Sequence, residues 1–465
     1  MVSTSSASEK SAPRFDWPLA YEAEQLLRRW VEEFLARNRC AHRLAERMRD
    51  ETGTDFYEWV DHLVVGPEHA AALRAVGLVE EQVAAPTGTS VLHHPKAMMP
   101  RVLLSAGAKG AGPVELAVRP ESLADFVASH GLASPIQGEV GARLRRVLVA
   151  EENGTRLTAV ERLGWRGFST EPPAPAFAAA VARARELWHT RQRDFADDTA
   201  GVRHALDVLG QVLALVPREV ACELFFAEER VFWELRNRAG RLQKRRQDRL
   251  GLGWGNHDHH TFRCSRPLFP GLIEFLTRLG LEKRERFYAG EEAGWGAQVM
   301  EAPAAGIVVF ADVDLQPGEI DIDFATQRLP GLPALRTVGL WCALHGDSFL
   351  QAGMHHLEAR FDFARLRDQL GAEGVATMKP FSDFAFLKQA FTEGERWPVH
   401  PERVARLRQG GLVTPEQAEG FLTHGAIGSH LENLQRKGGF KGFNQKAVSA
   451  IIAATDPRKM QAHSA

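Results

Sequence analysis

Apolar residues recur at two spacings along the chain, and these spacings predict where helices and strands lie. Between Trp17 and Asp50 they fall three and four residues apart, which indicates an amphipathic helix or a helix pair. The run FYEWVDHLVV that follows has the composition of a β-strand. GPEHAAALRAVGL then predicts a helix that begins after Gly-Pro and ends at a glycine. The chain therefore starts with a helical cover and continues as a strand followed by a helix.

The strand and helix pattern occurs three more times. Each copy joins an apolar strand to one amphipathic helix through a short turn, in residues 114–132, 259–281 and 355–375. Short β-type runs, AGIVVFADVDL (305–315) and EIDIDF (319–324), follow the third copy. Repetition of one unit predicts several modules with a common fold.

The same patterns divide the chain. We expect a disordered tail in residues 1–16 and, in 17–170, the helical cover with a degenerate copy of the module. Residues 171–250 begin with EPPAPAFAAA and become helical in period, which predicts a helical connector. We expect residues 251–465 to form a core of paired modules, and the candidate metal ligands of this core are described below. Within the connector, the basic run Arg236 to Arg249 has acidic neighbours, which favours a solvated helix face over nucleic-acid binding.

Composition narrows the classes of partner. A formal net charge of −2 gives no overall field for nucleic acid, and no uncharged apolar run approaches the roughly 20 residues of a membrane helix. The N-terminus lacks the apolar stretch of a signal peptide, and the four cysteines show no CxxC spacing. We therefore expect a cytoplasmic protein that binds small molecules, and a homodimer is left open.

The segment GNHDHHTFRCSR carries the first candidate for chemistry. Strand alternation predicts that His257, His259 and Arg263 project from one face, while His260 projects from the other. A metal ligand at His259 would then have a guanidinium beside it, where an anion could dock. The alternative for His259 alone is a histidine satisfied within the core.

The fourth copy repeats this spacing, because His356 is followed by Arg360 just as His259 is followed by Arg263. Two histidines and one carboxylate with open positions are typical of non-haem Fe(II) oxygenases. Glu432, in a predicted strand near the end of the last module, is our first candidate for the carboxylate. Glu358 and Glu301 are the next candidates, and pairing of Glu432 with Arg436 or Lys437 at the surface is the alternative.

Paired strand and helix repeats around a central metal resemble the vicinal oxygen chelate superfamily. The resemblance implies an α+β fold of repeated βαβββ modules, here with a helical connector. More narrowly, the spacing from His259 to Arg263, the segment HHLEAR and Glu432 resemble the 2-oxoadipate dioxygenase/decarboxylase (hydroxyglutarate synthase) family. That family resemblance implies Fe(II), or another divalent metal, held by His259, His356 and Glu432.

The same resemblance implies a function. Arg263 would bind the carboxylate of a 2-oxo acid, which the enzyme would decarboxylate and hydroxylate with O2. Arg360 is a candidate for a second carboxylate contact, since a guanidinium suits bidentate binding. His257, on the predicted face of His259, is a candidate for a supporting catalytic role.

Three rival interpretations stay open. The same fold supports extradiol ring cleavage or a glyoxalase-type isomerase with Zn(II) or Ni(II), and a ligand set with two carboxylates would favour the isomerase. A non-catalytic binding protein is the third. Nucleotide and serine-hydrolase chemistry lack their motifs, since neither a GxGxxG after a strand nor a GxxxxGK[ST] or GxSxG is present.

The N-terminal copy keeps only part of the pattern. Asp61 and His62 repeat the Asp-His pair, and His93 and His94 follow, but Gly66 stands where the arginine would be. We expect this copy to shape the cleft or a subunit contact rather than to bind a second metal.

Overall fold

The computed structural model describes residues 17–110, 112–291 and 293–444, so the predicted tail at 1–16 lies outside the described residues. The helices are α1 (Tyr21–Arg37), α2 (Arg39–Arg47), α3 (Ala70–Ala75), α4 (Leu123–His130), α5 (Phe177–His189), α6 (Asp198–Leu215), α7 (Arg218–Glu234), α8 (Arg238–Asp248), α9 (Phe269–Arg278), α10 (Thr337–His345), α11 (Phe363–Ala372), α12 (Pro401–Gln409) and α13 (Pro415–His424).

The strands are β1 (Val60–Val65), β2 (Val79–Glu80), β3 (Thr89–His93), β4 (Arg101–Ser105), β5 (Glu115–Val118), β6 (Leu144–Glu152), β7 (Thr155–Arg162), β8 (His257–Arg263), β9 (Glu282–Tyr288), β10 (Trp295–Ala302), β11 (Ile307–Asp314), β12 (His356–Arg360), β13 (Ser382–Phe384), β14 (Leu387–Phe391), β15 (Glu395–Trp397) and β16 (Ala426–Arg436).

The predicted α+β class and its repeats are confirmed. Each copy begins with a strand and a helix, and the third copy, β8-α9-β9-β10-β11, is a complete βαβββ module. The fourth copy receives its last strand, β16, only after α12 and α13. The strand predicted at 319–324 is wrong, because Glu319–Asp321 forms a short 3-10 turn. There the Glu319 carboxylate accepts hydrogen bonds from Arg266 at 2.7 and 2.8 Å and from the Gln316 N–H at 2.8 Å.

Two sheets repeat one topology. The N-terminal sheet has the order β2-β3-β4-β1-β5-β7-β6, and the C-terminal sheet has the order β13-β14-β16-β12-β8-β11-β10-β9. In each sheet the first strands of the two modules, β1 and β5 or β8 and β12, are antiparallel neighbours at the centre. Each of these first strands also pairs in parallel with the last strand of its own module. Each half of the chain is therefore a pair of related modules.

The two faces of the C-terminal sheet have different surroundings. One face packs against helices α5 to α9, where Phe262, Leu357 and Leu431 join Trp188 and Phe225 in one apolar core. The other face carries the polar side chains described below. Among the described residues, no helix is both long and apolar enough to cross a membrane.

Candidate metal centre

Three adjacent strands bring one histidine and two glutamates into a row. In the strand register Glu358 of β12 lies opposite His259 of β8 on one side and opposite Glu432 of β16 on the other. One ligand atom of each of the three residues lies within 4.8 Å of one ligand atom of the others. All three side chains are about 2% exposed. This is the row in which a metal ion could be held.

The protonation of His259 leaves a gap that a cation would fill. Its Nδ1 lies 2.9 Å from Asp258 Oδ1, and an ionised carboxylate only accepts hydrogen bonds, so Nδ1 carries the proton. The bare Nε2 then faces Glu358 Oε1 at 2.6 Å. Two acceptor atoms at that distance require a proton or a metal ion between them. Glu358 Oε2 is buried without a hydrogen-bond partner, which also fits a metal ligand.

His356 lies beside this row rather than in it. It is paired with Thr261 and with His430 in the neighbouring strands, two residues before Glu358. Its Nε2 nevertheless lies 2.8 Å from Glu358 Oε1 and 3.7 Å from Glu432 Oε2. The structure thus gathers all three predicted ligands, His259, His356 and Glu432, and adds Glu358 at their centre.

Burial sets the charges of the group. It lowers the pKa of His259 to about 4, although the hydrogen bond that His259 donates to Asp258 acts in the opposite direction, and it lowers the pKa of His356 well below its usual range. Both imidazoles are therefore neutral near pH 7 and can act as ligands. Burial raises the pKa of Glu432 to about 7, and burial together with the charge of Glu432 raises the pKa of Glu358 well above its usual range. A bound divalent cation would stabilise both carboxylates in place of their protons.

Asp258 and Arg436 fix the orientation of His259 from behind. Arg436 donates to the two Asp258 oxygens at 3.1 and 3.0 Å, and to the carbonyl oxygens of Phe440 and Gly442 at 3.1 and 2.7 Å. Although burial raises the pKa of Asp258, Arg436 and His259 hold it well below its usual range. Asp258 therefore stays ionised and keeps the His259 Nδ1 proton in place. A carboxylate behind a ligating imidazole is a frequent feature of metal sites.

A small aromatic pocket opens over the row. Its volume is about 60 Å³, and Arg263 and Asp312, which are paired between β8 and β11, form part of its polar lining. Burial raises the pKa of Asp312 well above its usual range, against the charge of Arg263. The remaining walls are largely aromatic, from Phe287, Trp295, Phe310, Phe381, Phe391 and Phe443. An anionic group could therefore reach Arg263 while apolar walls exclude water.

Three predicted residues lie outside this pocket. His257 was predicted to share the face of His259, and this prediction is wrong. The pairing of β8 with β12 has a register shift between His259 and His257, and the ring of His257 lies 5.4 Å from that of His260. Arg360 donates to Glu58 at 3.1 Å in the N-terminal half, so its position does not match a carboxylate contact at the metal row. Glu301 accepts from Lys441 at 2.9 Å and does not line the pocket.

The degenerate N-terminal copy has its carboxylate already paired. Arg162 donates to both oxygens of Asp61 at 2.7 and 2.8 Å, and His62 Nδ1 lies 2.7 Å from Asp61 Oδ2. Burial raises the pKa of Asp61, but Arg162 and His62 outweigh burial and hold this pKa well below its usual range. The Asp61 carboxylate, which was the candidate for a second metal site, is therefore already paired with Arg162.

Sequence reasoning gave too little weight to four residues. Glu358 had a readable signal, since it stands two positions after His356 and so shares its face. Asp258, in the HDHH run, was passed over because only ring orientation reveals its role. Gln389 donates to Glu432 Oε1 at 2.8 Å from strand β14, and Asp312 faces Arg263; neither pairing has a local signal in the sequence.

Comparisons with known proteins give no family. No family model matches the sequence, and no curated protein matches it. Similar solved structures include a mutant of 4-hydroxymandelate synthase from Streptomyces coelicolor, with 14% identity, 88% of this chain and 99% of that chain covered, and a TM-score of 0.27. A glyoxalase superfamily protein from Ralstonia eutropha JMP134 has 13% identity, 57% and 96% coverage, and a TM-score of 0.32.

Methylmalonyl-CoA epimerase from Mycobacterium tuberculosis has 12% identity, 39% of this chain and 88% of that chain covered, and a TM-score of 0.23. Structural similarities at these TM-scores assign no reaction to this chain. The description of its fold is based on its own strand order.

Proposed function

We propose that the chain is a mononuclear divalent-metal enzyme, an Fe(II)-dependent dioxygenase that decarboxylates and hydroxylates a small 2-oxo acid. The observation that carries the proposal is the row of His259, Glu358 and Glu432, with the bare Nε2 of His259 facing a carboxylate oxygen at 2.6 Å. These three residues would hold the metal, and His356 is the fourth donor within reach. When bound, Fe(II) supplies binding of the 2-oxo acid and activation of O2.

The protein's own residues position the substrate. Arg263 lines the pocket on the same strand as His259 and binds the substrate carboxylate, because a guanidinium matches the planar carboxylate geometry. Gln389 orients Glu432 through its hydrogen bond at 2.8 Å. The aromatic walls exclude water, which strengthens the ion pair between Arg263 and the substrate. A pocket of about 60 Å³ favours a short, slender acid.

Oxygen uptake tests this proposal. Protein purified without oxygen and loaded with Fe(II) is mixed with a panel of 2-oxo acids, and O2 uptake and CO2 release are measured together. We expect matched consumption of O2 and release of CO2 with at least one acid. Arg263→Gln should raise KM about tenfold or more. Arg286→Gln, in an ion pair with Asp323 whose side chains are 31% and 34% exposed, should leave KM unchanged. Protein that contains iron but never consumes O2 with any acid would contradict the proposal.

A glyoxalase-type isomerase is the second candidate, and one observation favours it. The cluster contains two carboxylates, Glu358 and Glu432, so one can hold a metal while the other moves a proton. The raised pKa of Glu432, about 7, suits a group that takes and returns a proton near neutral pH. Exchange of a substrate C–H proton in D2O without O2 uptake, followed by NMR, would select this reaction over the dioxygenase.

A further inference from the structure

A second and larger cavity lies between the two halves of the chain. Its volume is about 560 Å³, within the range of cavities that hold small-molecule ligands. Asp61 and Arg101 of the N-terminal sheet line one side, and Pro303 and Val308 of the C-terminal half line the other. We call it the inter-sheet cavity. His259, Glu358 and Glu432 line the metal pocket and not this cavity.

On one wall of the inter-sheet cavity, three arginines share two carboxylates. Arg162 donates to both oxygens of Asp61 at 2.7 and 2.8 Å, and Arg166 approaches Glu81 at 2.7 Å through Nε and 2.6 Å through Nη2. Arg101 comes no closer than 3.9 Å to either carboxylate, although its side chain is only 11% exposed. Burial lowers the pKa of the Arg101 guanidinium to about 9. The wall therefore carries one more positive charge than its carboxylates neutralise.

The other contacts of Arg101 are neutral. Its Nη1 donates to the carbonyl oxygen of Arg166, and its guanidinium lies 4.4 Å from the centre of the Phe168 ring. A carbonyl oxygen and a ring face stabilise a cation but bring no negative charge. A largely buried cation whose nearest carboxylate oxygens lie 3.9 Å away, and are shared with two other arginines, is only partly compensated, and a bound anion would complete the compensation.

Hydrogen-bond donors line the same cavity. His93 and His94 contribute their side chains, and burial lowers the pKa of both, so that each is neutral near pH 7 and offers one N–H. Tyr57 is also a lining residue, and its hydroxyl is buried without a hydrogen-bond partner. An anionic ligand with further oxygen atoms would satisfy these groups.

We propose that the inter-sheet cavity binds a small organic anion through a carboxylate or phosphate group held by Arg101, with His93 donating to another of its oxygens. Carboxylate and phosphate share the oxygen geometry that a guanidinium recognises, and the cavity has room for the rest of a small metabolite. This site is separate from the metal pocket and does not depend on the function proposed for it.

Calorimetric titration of the full chain at low ionic strength tests the proposal, with inorganic phosphate and succinate as the two probes. We expect saturable binding of at least one probe, and the tighter probe identifies the anionic group. Arg101→Gln should weaken binding about tenfold or more, since it removes a charged hydrogen-bond donor. Arg156→Gln, an exposed arginine of the same sheet, should leave binding unchanged. Arg263→Gln, in the metal pocket, should also leave it unchanged.

A labelling experiment on the unaltered protein covers the case in which Arg101→Gln does not fold. Phenylglyoxal modification, followed by peptide mass spectrometry, should be slowed at Arg101 by the bound probe, and not at Arg156. The proposal is overturned if neither probe binds at millimolar concentration. It is also overturned if Arg101→Gln binds as the wild type does, or if binding is lost in Arg263→Gln, which would locate the anion in the metal pocket.

Discussion

Asp258 determines which nitrogen of His259 faces the metal row. Its carboxylate accepts a hydrogen bond from the His259 Nδ1–H at 2.9 Å and is itself held by two hydrogen bonds from Arg436. Because the imidazole cannot rotate without breaking these bonds, its Nε2 stays directed at Glu358. The orientation of His259 thus depends on a residue that is not itself a candidate ligand.

Asp258→Asn should weaken metal binding about 10- to 100-fold, the usual cost of losing a partner behind a ligand. The amide can donate to the imidazole and so stabilise the wrong tautomer. Competition with a chelator of known affinity, followed by Co(II) absorption, measures the effect. Asp383→Asn, whose side chain is 68% exposed, is the matched control. Equal affinities in the two variants would contradict the assigned role.

His345 should make stability fall in acid. Burial lowers its pKa to about 3, so between about pH 3 and 6.5 the unfolded chain binds the proton and the folded chain does not. Stability therefore rises with pH through this window and is lost as the pH falls below about 6.5. Protonation of His345 should therefore lower the free energy of unfolding at pH 5 by roughly 2 kcal/mol.

Urea unfolding near pH 8 and pH 5 measures the contribution of His345 to this loss of stability. His345→Gln keeps a donor for the Ile427 carbonyl oxygen, to which His345 Nε2 is bonded at 3.2 Å. The variant should lose roughly 2 kcal/mol less than the wild type on acidification. An identical loss in both proteins would show that His345 is not the group that resists protonation.

Part of the site was predictable residue by residue. Alternation and the repeated spacing selected His259, Arg263 and His356, which line one pocket, because each lies in a strand that is periodic over several residues. His257 failed because a register shift at Asp258 reverses alternation, and no local pattern announces such a shift. Gln389 was missed because its contact depends on strand pairing across 43 positions of sequence.

At the scale of the element, strand β16 carries Glu432 and is positioned by a close contact near its N-terminal end. Gly428 lies against the Trp397 ring, so that an added Cβ would overlap the ring. Trp397 is 5% exposed, and its Nε1 donates to the carbonyl oxygen of Arg236 at 2.8 Å. The ring therefore has little freedom to move away.

Gly428→Ala should lower the free energy of unfolding by roughly 1–3 kcal/mol through overpacking. Gly371→Ala is the matched control, since a Cβ in helix α11 meets nothing within 4 Å. That substitution should raise the free energy of unfolding by about 0.5–1 kcal/mol, because alanine favours the helix. Urea unfolding measures both, and a neutral Gly428→Ala would show that β16 can shift.

The elements themselves were largely predictable, because periodicity is a local property. All four pairs of strand and helix were expected and are present. The strand predicted at EIDIDF is wrong although its residues alternate. Two of its three acidic groups contact basic side chains instead of forming a strand face: Glu319 contacts Arg266, and Asp323 contacts Lys283 and Arg286. Insertion of α12 and α13 before β16 could not be predicted, because nothing local dictates which strand completes a module.

At the scale of the whole molecule, helices α5 to α8 belong to the same core as the C-terminal sheet. Trp188, Phe225 and Trp233 of these helices pack in one apolar cluster with Phe262 and Leu431 of the sheet. The predicted division of the chain at residue 250 separates the two sides of this cluster. The boundary at residue 250 marks a change in sequence pattern, and as a domain boundary it stays a prediction.

A chain of residues 251–465 should therefore lack cooperative folding, because one sheet face would be exposed. A chain of residues 171–465, which keeps the helices, should unfold cooperatively. Near-ultraviolet circular dichroism and urea unfolding compare the two chains. If the shorter chain folds as well as the longer one, the helices are a connector and not part of the core.

Metal stoichiometry is the most direct test of the metal centre. Protein prepared without oxygen is stripped, reloaded with Fe(II) and analysed for bound metal beside His259→Ala and Glu432→Ala. We predict about one metal ion per wild-type chain and little in either variant, with all three proteins folded by circular dichroism. A wild type that binds no metal, or variants that retain it fully, would contradict the account.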